Sequence, residues 1–246
     1  MAKFVIQGGQ KLRGEVQVAG NKNSALKLMA ASLLADSPSI LSNVPKIRDV
    51  QVMGQIIESL GAKVEDDGNG TITIDPSGLS SSKPNPELFG RIRASVVLVA
   101  PLLIRFGEVQ LPRPGGDSIG ERILAHHIAM LTSFGAKCNG DFSGYTIRNG
   151  ALRPSEIFLE EASVTATEMA LIVAAALPGE TIIDGAAAEP HVVDLAEMLT
   201  KMGAKIEGSG TNIIRVHGTK NLHGVAHKVR PDHVELPIMA DETSAN

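Results

Sequence analysis

One cysteine in 246 residues, Cys138, leaves no internal disulfide and no cysteine-built zinc site, and its isolation fits a reducing compartment. It lies in Gly135-Ala-Lys-Cys138, entering a predicted strand, and reads as a buried, inert thiol. Long apolar runs are missing as well. The longest, Ser95 to Ile104, contains a proline and is about half the length that crosses a bilayer. The N-terminus, Met1-Ala-Lys-Phe-Val-Ile-Gln-Gly8, lacks the apolar stretch and small-residue cleavage site of a signal peptide. The expectation is a cytoplasmic protein with no membrane partner. No strong charge of one sign is present either: 23 Lys and Arg face 27 Asp and Glu, a net charge of -4, and the cations are scattered singly. Without a basic stripe, nucleic acid is not an expected partner. Neither a Walker-type loop nor a Gly-x-Ser-x-Gly elbow occurs. His126 and His127 are adjacent, on different faces of a helix, so they do not form the i, i+4 pair of a zinc site. No metal and no cofactor are expected.

What remains is an ordinary globular composition, 43% hydrophobic and 20% charged, organised by a threefold repeat. Leu60-Gly-Ala-Lys63, Phe134-Gly-Ala-Lys137 and Met202-Gly-Ala-Lys205 each close an amphipathic stretch. The apolar residues recur at helical period: Val52, Ile56, Ile57, Leu60; Ile123, Ile128, Leu131, Phe134; Val193, Leu195, Leu199, Met202. Each glycine is the expected left-handed residue just past a helix end. A hairpin follows each: Lys63–Glu65 with Thr71–Asp75, Lys137–Asn139 with Tyr145–Arg148, and Lys205–Glu207 with Ile213–His217. Upstream lie helices apolar nearly all round, Ser24–Ala35, Ile92–Arg105 and Thr165–Leu177. These lead to strands at Ser39–Ser42, Glu108–Leu111 and Thr181–Asp184. Helices of that kind belong in a core.

The unit is therefore βαβαββ, present three times, and the fold class is α/β (α+β): buried helices at the centre, sheets and amphipathic helices outside. A closed three-lobed domain is favoured over a solenoid, because the units exceed the usual roughly 20 to 50 residues of solenoid repeats. Two ends fall outside the scheme. Lys3–Ile6 and Glu15–Val18 read as a leading hairpin, and Val229–Glu235 as the start of a fourth unit, which suggests a fragment.

Chemistry is expected at the starts of the central helices, which offer unpaired N–H groups and a positive dipole end. Gly20-Asn-Lys-Asn-Ser24 opens the first, with Lys22 and Asn23. Arg91 and Arg93 precede the second. Arg122 follows the glycine turn Pro114-Gly-Gly-Asp-Ser-Ile-Gly120. Lys22, Arg93 and Arg122 could converge on one small polyanion, although each alone is more often a solvated surface charge. Asp117, taken locally, is a helix cap. Ser163 and Thr165 are capping candidates for the third central helix, and Glu160 and Glu161 complement its dipole.

Six motifs, Gly20-Asn-Lys-Asn-Ser-Ala-Leu26, Asn43-Val-Pro-Lys-Ile-Arg-Asp-Val50, Arg93-Ala-Ser95, Pro114-Gly-Gly-Asp-Ser-Ile-Gly-Glu-Arg122, Ala188-Glu-Pro190 and Arg230-Pro-Asp-His-Val-Glu235, run in one order along the chain. Together they resemble the UDP-N-acetylglucosamine enolpyruvyl transferases. The resemblance implies an enolpyruvyl transferase-like domain of three βαβαββ repeats, with the second, similar domain missing. It divides the chain into 1–20, a leading hairpin belonging to that absent domain; 21–230, the catalytic-side domain; and 231–246, the truncated start of the second.

The implied reaction moves the enolpyruvyl group of phosphoenolpyruvate to the 3′-hydroxyl of UDP-N-acetylglucosamine and releases phosphate, toward peptidoglycan. The partners are those two small molecules and the missing C-terminal domain. By resemblance, Lys22, Arg93 and Arg122 meet the anion and Asn23 orients the sugar hydroxyl. Asp117 stands where the family usually has a cysteine that protonates the methylene carbon. His127, Ser163 and Val164 contact the nucleotide. A carboxyl donates that proton if desolvation raises its pKa. Epoxide antibiotics of the fosfomycin type, which alkylate the cysteine, should have no target.

Departures accompany the matches. Ile123-Leu-Ala-His-His127 stands where the family commonly has Pro-Val-Asp-Leu-His, Glu161 replaces a frequent lysine, Thr165 a glycine, and Leu236-Pro-Ile-Met239 an expected Thr-Gly-Thr. The other readings are a non-catalytic paralogue or binding module of the same fold, and the sibling 3-phosphoshikimate enzyme, whose signatures are not seen.

Overall fold

The computed structural model describes Lys3, Val5 and residues 17–112, 124–141 and 144–235. In the first repeat, α1 (Lys22–Ala31) is capped by Asn21, whose side chain accepts the Ser24 N–H at 2.9 Å, and tightens into a 3₁₀ turn at Ser32–Leu34. Then come β1 (Ser39–Ser42), α2 (Arg48–Ser59) and the hairpin of β2 (Lys63–Asp66) and β3 (Ile72–Asp75).

The second repeat starts with a short helix, α3 (Pro86–Phe89), absent from the sequence-based expectation. The single helix expected over Ile92–Arg105 is a correction: the segment is a 3₁₀ helix at Arg93–Leu98 followed by α4 (Val99–Phe106). Pro101 supplies the reason, since its ring would clash with the carbonyl four residues back, at Val97, and it has no N–H to donate. β4 (Glu108–Pro112), α5 (Ala125–Ser133), β5 (Ala136–Asp141) and β6 (Gly144–Asn149) complete it.

The third repeat runs through β7 (Glu156–Phe158), α6 (Val164–Ala175), β8 (Gly179–Asp184), α7 (Pro190–Met202), β9 (Lys205–Glu207) and β10 (Ile213–Gly218), and β11 (Ala226–Lys228) follows. Ser163, the nearer of the two capping candidates, is the cap of α6. Gly61, Gly135 and Gly203 take positive φ of 102°, 100° and 126°, as their places past α2, α5 and α7 require.

The three sheets share one order. Their repeated triplets are β1-β3-β2, β4-β6-β5 and β8-β10-β9, all antiparallel. The leading β of the repeat is a parallel addition: β7 pairs with β8, and β11, from the far end of the chain, pairs with β1. Among the described residues, the middle sheet has only the contact Gln110 N–H to Ser82 O, at 3.4 Å, in the corresponding place. Because the strand that completes the first sheet comes from beyond the third repeat, the lobes close on one another rather than stacking as a solenoid.

Helices α1 and α6 are buried on every side, from Ser24 to Ala31 and from Ala166 to Ala175. Their apolar side chains, with those of Val96–Leu103, form the centre of one hydrophobic core. α2, α5 and α7 pack around it with one polar face each. On α7 the buried face includes Val192, whereas Val193, expected in the core, is half-buried. The leading hairpin lies for the most part outside the described residues, and no strand occurs among its described members. The expected fourth unit contributes one antiparallel bridge, Gly20 with Pro231.

Candidate functional site

The starts of α1, the Arg93–Leu98 helix and α6 are the places singled out by the sequence. At α1, Asn21 has folded back as cap, so Lys22 and Asn23 occupy the first turn with exposed side chains. Lys22 Nζ lies 3.2 Å from the Asp49 carboxylate in the first turn of α2, and both side chains stay partly in solvent, 50% and 37%. Asp49 lies within the Asn43–Val50 motif. It is a partner that a bound anion would have to outcompete.

Arg93 opens the 3₁₀ helix half-buried, and its charge reaches His127 in α5. His127 is 7% exposed. Burial pushes its pKa down to about 4, and the charges of Arg93 and His126 push the same way. The ring is therefore neutral at physiological pH. Nε2 sits 2.7 Å from the Thr165 hydroxyl, in the first turn of α6, while Nδ1 has no partner among the described residues. His126, on the neighbouring face, meets the Glu161 carboxylate at 3.4 Å. Glu161 is thus turned toward a histidine.

At α6, Ser163 Oγ accepts the Ala166 N–H at 3.4 Å, and Val164 is the first helical residue. His127, Thr165, Ser163 and Val164 therefore share one locus. Thr165 carries the contact that a glycine there would lack. Asp117 and Arg122 lie outside the described residues.

Two buried polar clusters escaped sequence reasoning. Lys27 of α1 and Glu168 of α6 form an ion pair at 3.3 Å, with side chains 3% and 0% exposed. The geometry falls short of a hydrogen bond at either Glu168 oxygen. Burial raises the Glu168 pKa to about 7 against the pull of Lys27, and the Glu189 charge adds to the rise. His191 Nε2 lies 3.8 Å from Glu168, and its ring stacks on His233 with centroids 5.7 Å apart. Burial, then the charge of Lys27 and that of His233, lower the His191 pKa to about 4.

The second cluster centres on Asp194 of α7, fully buried, which accepts from the Ser24 hydroxyl, from His227 Nε2 at 2.8 Å and from the Arg230 N–H at 3.1 Å. Burial alone would raise this carboxyl, but the hydrogen bonds from His227, Ser24 and Arg230 outweigh it and hold the pKa below the ordinary value. The sequence signal was present in both cases: single charges inside helices otherwise apolar all round, or on the apolar face of α7.

Among the described residues no group of three or more His, Cys, Asp or Glu is placed to hold a metal ion, and no helix is long and apolar enough to cross a membrane.

With this geometry in place, the chain matches the family model described as EPSP synthase (3-phosphoshikimate 1-carboxyvinyltransferase) over residues 6–236. Among similar proteins, the UDP-N-acetylglucosamine 1-carboxyvinyltransferase of Bradyrhizobium diazoefficiens is 44% identical over 95% of this chain and 54% of its own. That of Treponema denticola is 44% identical over 96% and 55%. The crystal structure of the enolpyruvyl transferase NikO from Streptomyces tendae superposes with a TM-score of 0.80 at 27% identity, covering 94% of this chain and 55% of that one. The chain spans about half the length of the relatives it matches.

Proposed function

The chain belongs to the EPSP synthase (3-phosphoshikimate 1-carboxyvinyltransferase) family, and on that premise we propose that the protein containing it transfers the enolpyruvyl group of phosphoenolpyruvate to the 3′-hydroxyl of UDP-N-acetylglucosamine, releasing phosphate. The observation that carries this reading is the identity of 44% over 95% of the chain to a relative named for that activity. The shikimate sibling is supported at the level of fold, by an EPSP synthase from Acinetobacter baumannii at 22% identity and a TM-score of 0.73.

In this reading Lys22, Arg93 and Arg122 meet the phosphate and carboxylate of phosphoenolpyruvate. Asn23, beside Lys22 in the first turn of α1, orients the sugar hydroxyl. Asp117 delivers a proton to the methylene carbon, making it a methyl, as the hydroxyl oxygen bonds to the adjacent carbon and gives up its own proton to a base of the second domain; loss of a methyl proton with departure of phosphate then restores the double bond. Cations fixed at helix starts favour this chemistry, because the dipole and the unpaired N–H groups act on the same anion as the side chains. His127, Ser163 and Val164 meet the nucleotide. A neutral His127 suits hydrogen bonding to a base or sugar better than an ion pair with the diphosphate.

The absent half supplies the remaining groups, so residues 21–230 form the catalytic-side domain, 1–20 and 231–246 belong with the second domain, and the isolated chain turns over little. The step belongs to peptidoglycan precursor synthesis in the cytoplasm, and through the wall to cell shape and division. Titration of the ¹⁵N-labelled chain tests the assignment. UDP-N-acetylglucosamine should shift the signals of His127, Ser163 and Val164, and 3-phosphoshikimate should not. The reverse pattern would transfer the chain to the shikimate branch, and silence to both would favour the non-catalytic paralogue.

A further inference from the structure

Two stretches far apart in the chain, 19–24 and 227–232, are zipped together beside the start of α1. Asn21 N–H donates to Arg230 O at 2.8 Å, Asp232 N–H donates to Ala19 O at 2.9 Å, and Gly20 bridges to Pro231. Gly20 packs so closely that an added Cβ would lie 1.9 Å from the Asn43 carbonyl oxygen. Asn43 in turn donates its side-chain N–H to Val229 O at 2.9 Å.

One side chain from a third element reaches both stretches. Asp194 of α7 takes the Ser24 hydroxyl on Oδ2, together with the Arg230 N–H, and His227 Nε2 on Oδ1. Lys201 Nζ approaches the other ring nitrogen of His227 at 3.3 Å. An ammonium only donates, so Nδ1 accepts and Nε2 carries the hydrogen that goes to Asp194. The carboxylate is thus supplied by three donors, one from the first stretch and two from the second.

We propose that Asp194 is a positioning residue for the substrate-facing turn of α1: by holding Ser24 and the 227–230 segment on one carboxylate, it sets where Lys22 and Asn23 point. Asp194 touches no substrate. It acts through Ser24, which lies one position beyond Asn23 and three beyond the cap Asn21, so the turn that carries Lys22 and Asn23 is fixed at both ends. A buried carboxylate suits this task better than an amide, because it accepts from several donors at once and charge-assisted bonds hold a tighter geometry. The inference rests on the reading of Lys22 and Asn23 as residues that face phosphoenolpyruvate.

The test combines amide hydrogen exchange with phosphoenolpyruvate titration on the 246-residue chain. Ser24→Ala removes one arm of the junction and His227→Gln another, so neither depends on Asp194→Asn folding well. Ser24→Ala should speed exchange at residues 21–25 by about tenfold or more while 228–230 keep wild-type protection; His227→Gln should do the reverse. Asp194→Asn should loosen both stretches. Ser24→Ala and Asp194→Asn should each weaken phosphoenolpyruvate binding by about tenfold, the size expected when one buried bond to a charged group is lost. Lys205→Ala, on an exposed hairpin, should leave binding as in wild type.

Wild-type affinity in both Ser24→Ala and Asp194→Asn, or exchange that rises evenly over the whole chain, would overturn the positioning role and leave Asp194 a general stability residue. If the wild-type chain fails to bind phosphoenolpyruvate at all, the functional reading fails, and the exchange pattern alone still decides whether Asp194 sets the α1 turn.

Discussion

Lys22 Nζ lies 3.2 Å from the carboxylate of Asp49, so the cation proposed to meet phosphoenolpyruvate is held by an acid from the next helix. Both side chains remain partly solvated, and ion pairs of that kind contribute about 0 to 1 kcal/mol. An incoming anion must displace Asp49 or share Lys22 with it. Asp49→Asn should therefore tighten phosphoenolpyruvate binding by a factor of about two to five at low salt, with the gain fading as salt screens the pair. Calorimetric titration at two ionic strengths reads this directly. Weaker binding in Asp49→Asn would mean that the acid orients Lys22 rather than competing for it.

The Lys27–Glu168 pair sits where a buried charge is tolerated only with its partner. Glu168→Ala, which leaves the ammonium alone in the core, should cost about 3 to 5 kcal/mol of stability. Replacing both, Lys27→Met with Glu168→Leu, should restore most of that loss, since apolar substitutes of similar volume often equal or exceed a buried pair. Urea unfolding of the two variants decides between them. A double variant as unstable as Glu168→Ala would show that the pair itself contributes net stability.

Acid stability follows from three buried groups whose effects oppose one another. His127 and His191 titrate near 4 in the folded chain against 6.5 when free, so the unfolded chain holds more protons between those values and acidification destabilises. Glu168 is raised from 4.5 to about 7, so the folded chain holds the extra proton and acidification stabilises. Two histidines outweigh one carboxyl. Stability should fall on going from pH 6.5 to pH 4.5, with a slope of about one proton, or about 1.4 kcal/mol per pH unit. Urea melts across that window measure the slope, and a chain that grows more stable on acidification would contradict the burial of both rings.

Much of the fold could be read locally. The three Gly-Ala-Lys helix ends, their hairpins and the Ser163 cap depend on residues a few positions apart, and each is found where the sequence put it. The break between the Arg93–Leu98 turn and α4 was legible in Pro101 but outweighed by an unbroken apolar run. The pairing of β11 with β1, which closes the ring, was not legible, since nothing in either strand names the other. At the site, Lys22, Asn23, Arg93, His127, Ser163 and Val164 were singled out, but their partners Asp49 and Thr165 were not read as such. A contact between helices distant in sequence depends on how those helices cross, which periodicity does not encode. Lys27, Glu168 and Asp194 show the same limit, although a single charge in an apolar helix was itself a sign of a buried partner.

Asp117, where the resemblance places a reactive cysteine, provides a chemical test of that correspondence. A carboxylate is not the soft thiolate nucleophile that opens the epoxide. Intact mass spectrometry after incubation with fosfomycin should show no adduct on the wild-type protein and one adduct on Asp117→Cys, at residue 117. An adduct at residue 117 of the wild-type protein, or none on Asp117→Cys when the variant still binds UDP-N-acetylglucosamine, would remove Asp117 from the proton-donor position.

The most direct test of the central claim is the release of inorganic phosphate from phosphoenolpyruvate by the full-length protein that carries this chain. Release should require UDP-N-acetylglucosamine, yield the enolpyruvyl ether of its 3′-hydroxyl, and fall by at least about a hundredfold in Lys22→Ala, as loss of one preorganised charge contact entails. Phosphate release that depends on 3-phosphoshikimate instead, or that proceeds unchanged in Lys22→Ala, would contradict the account.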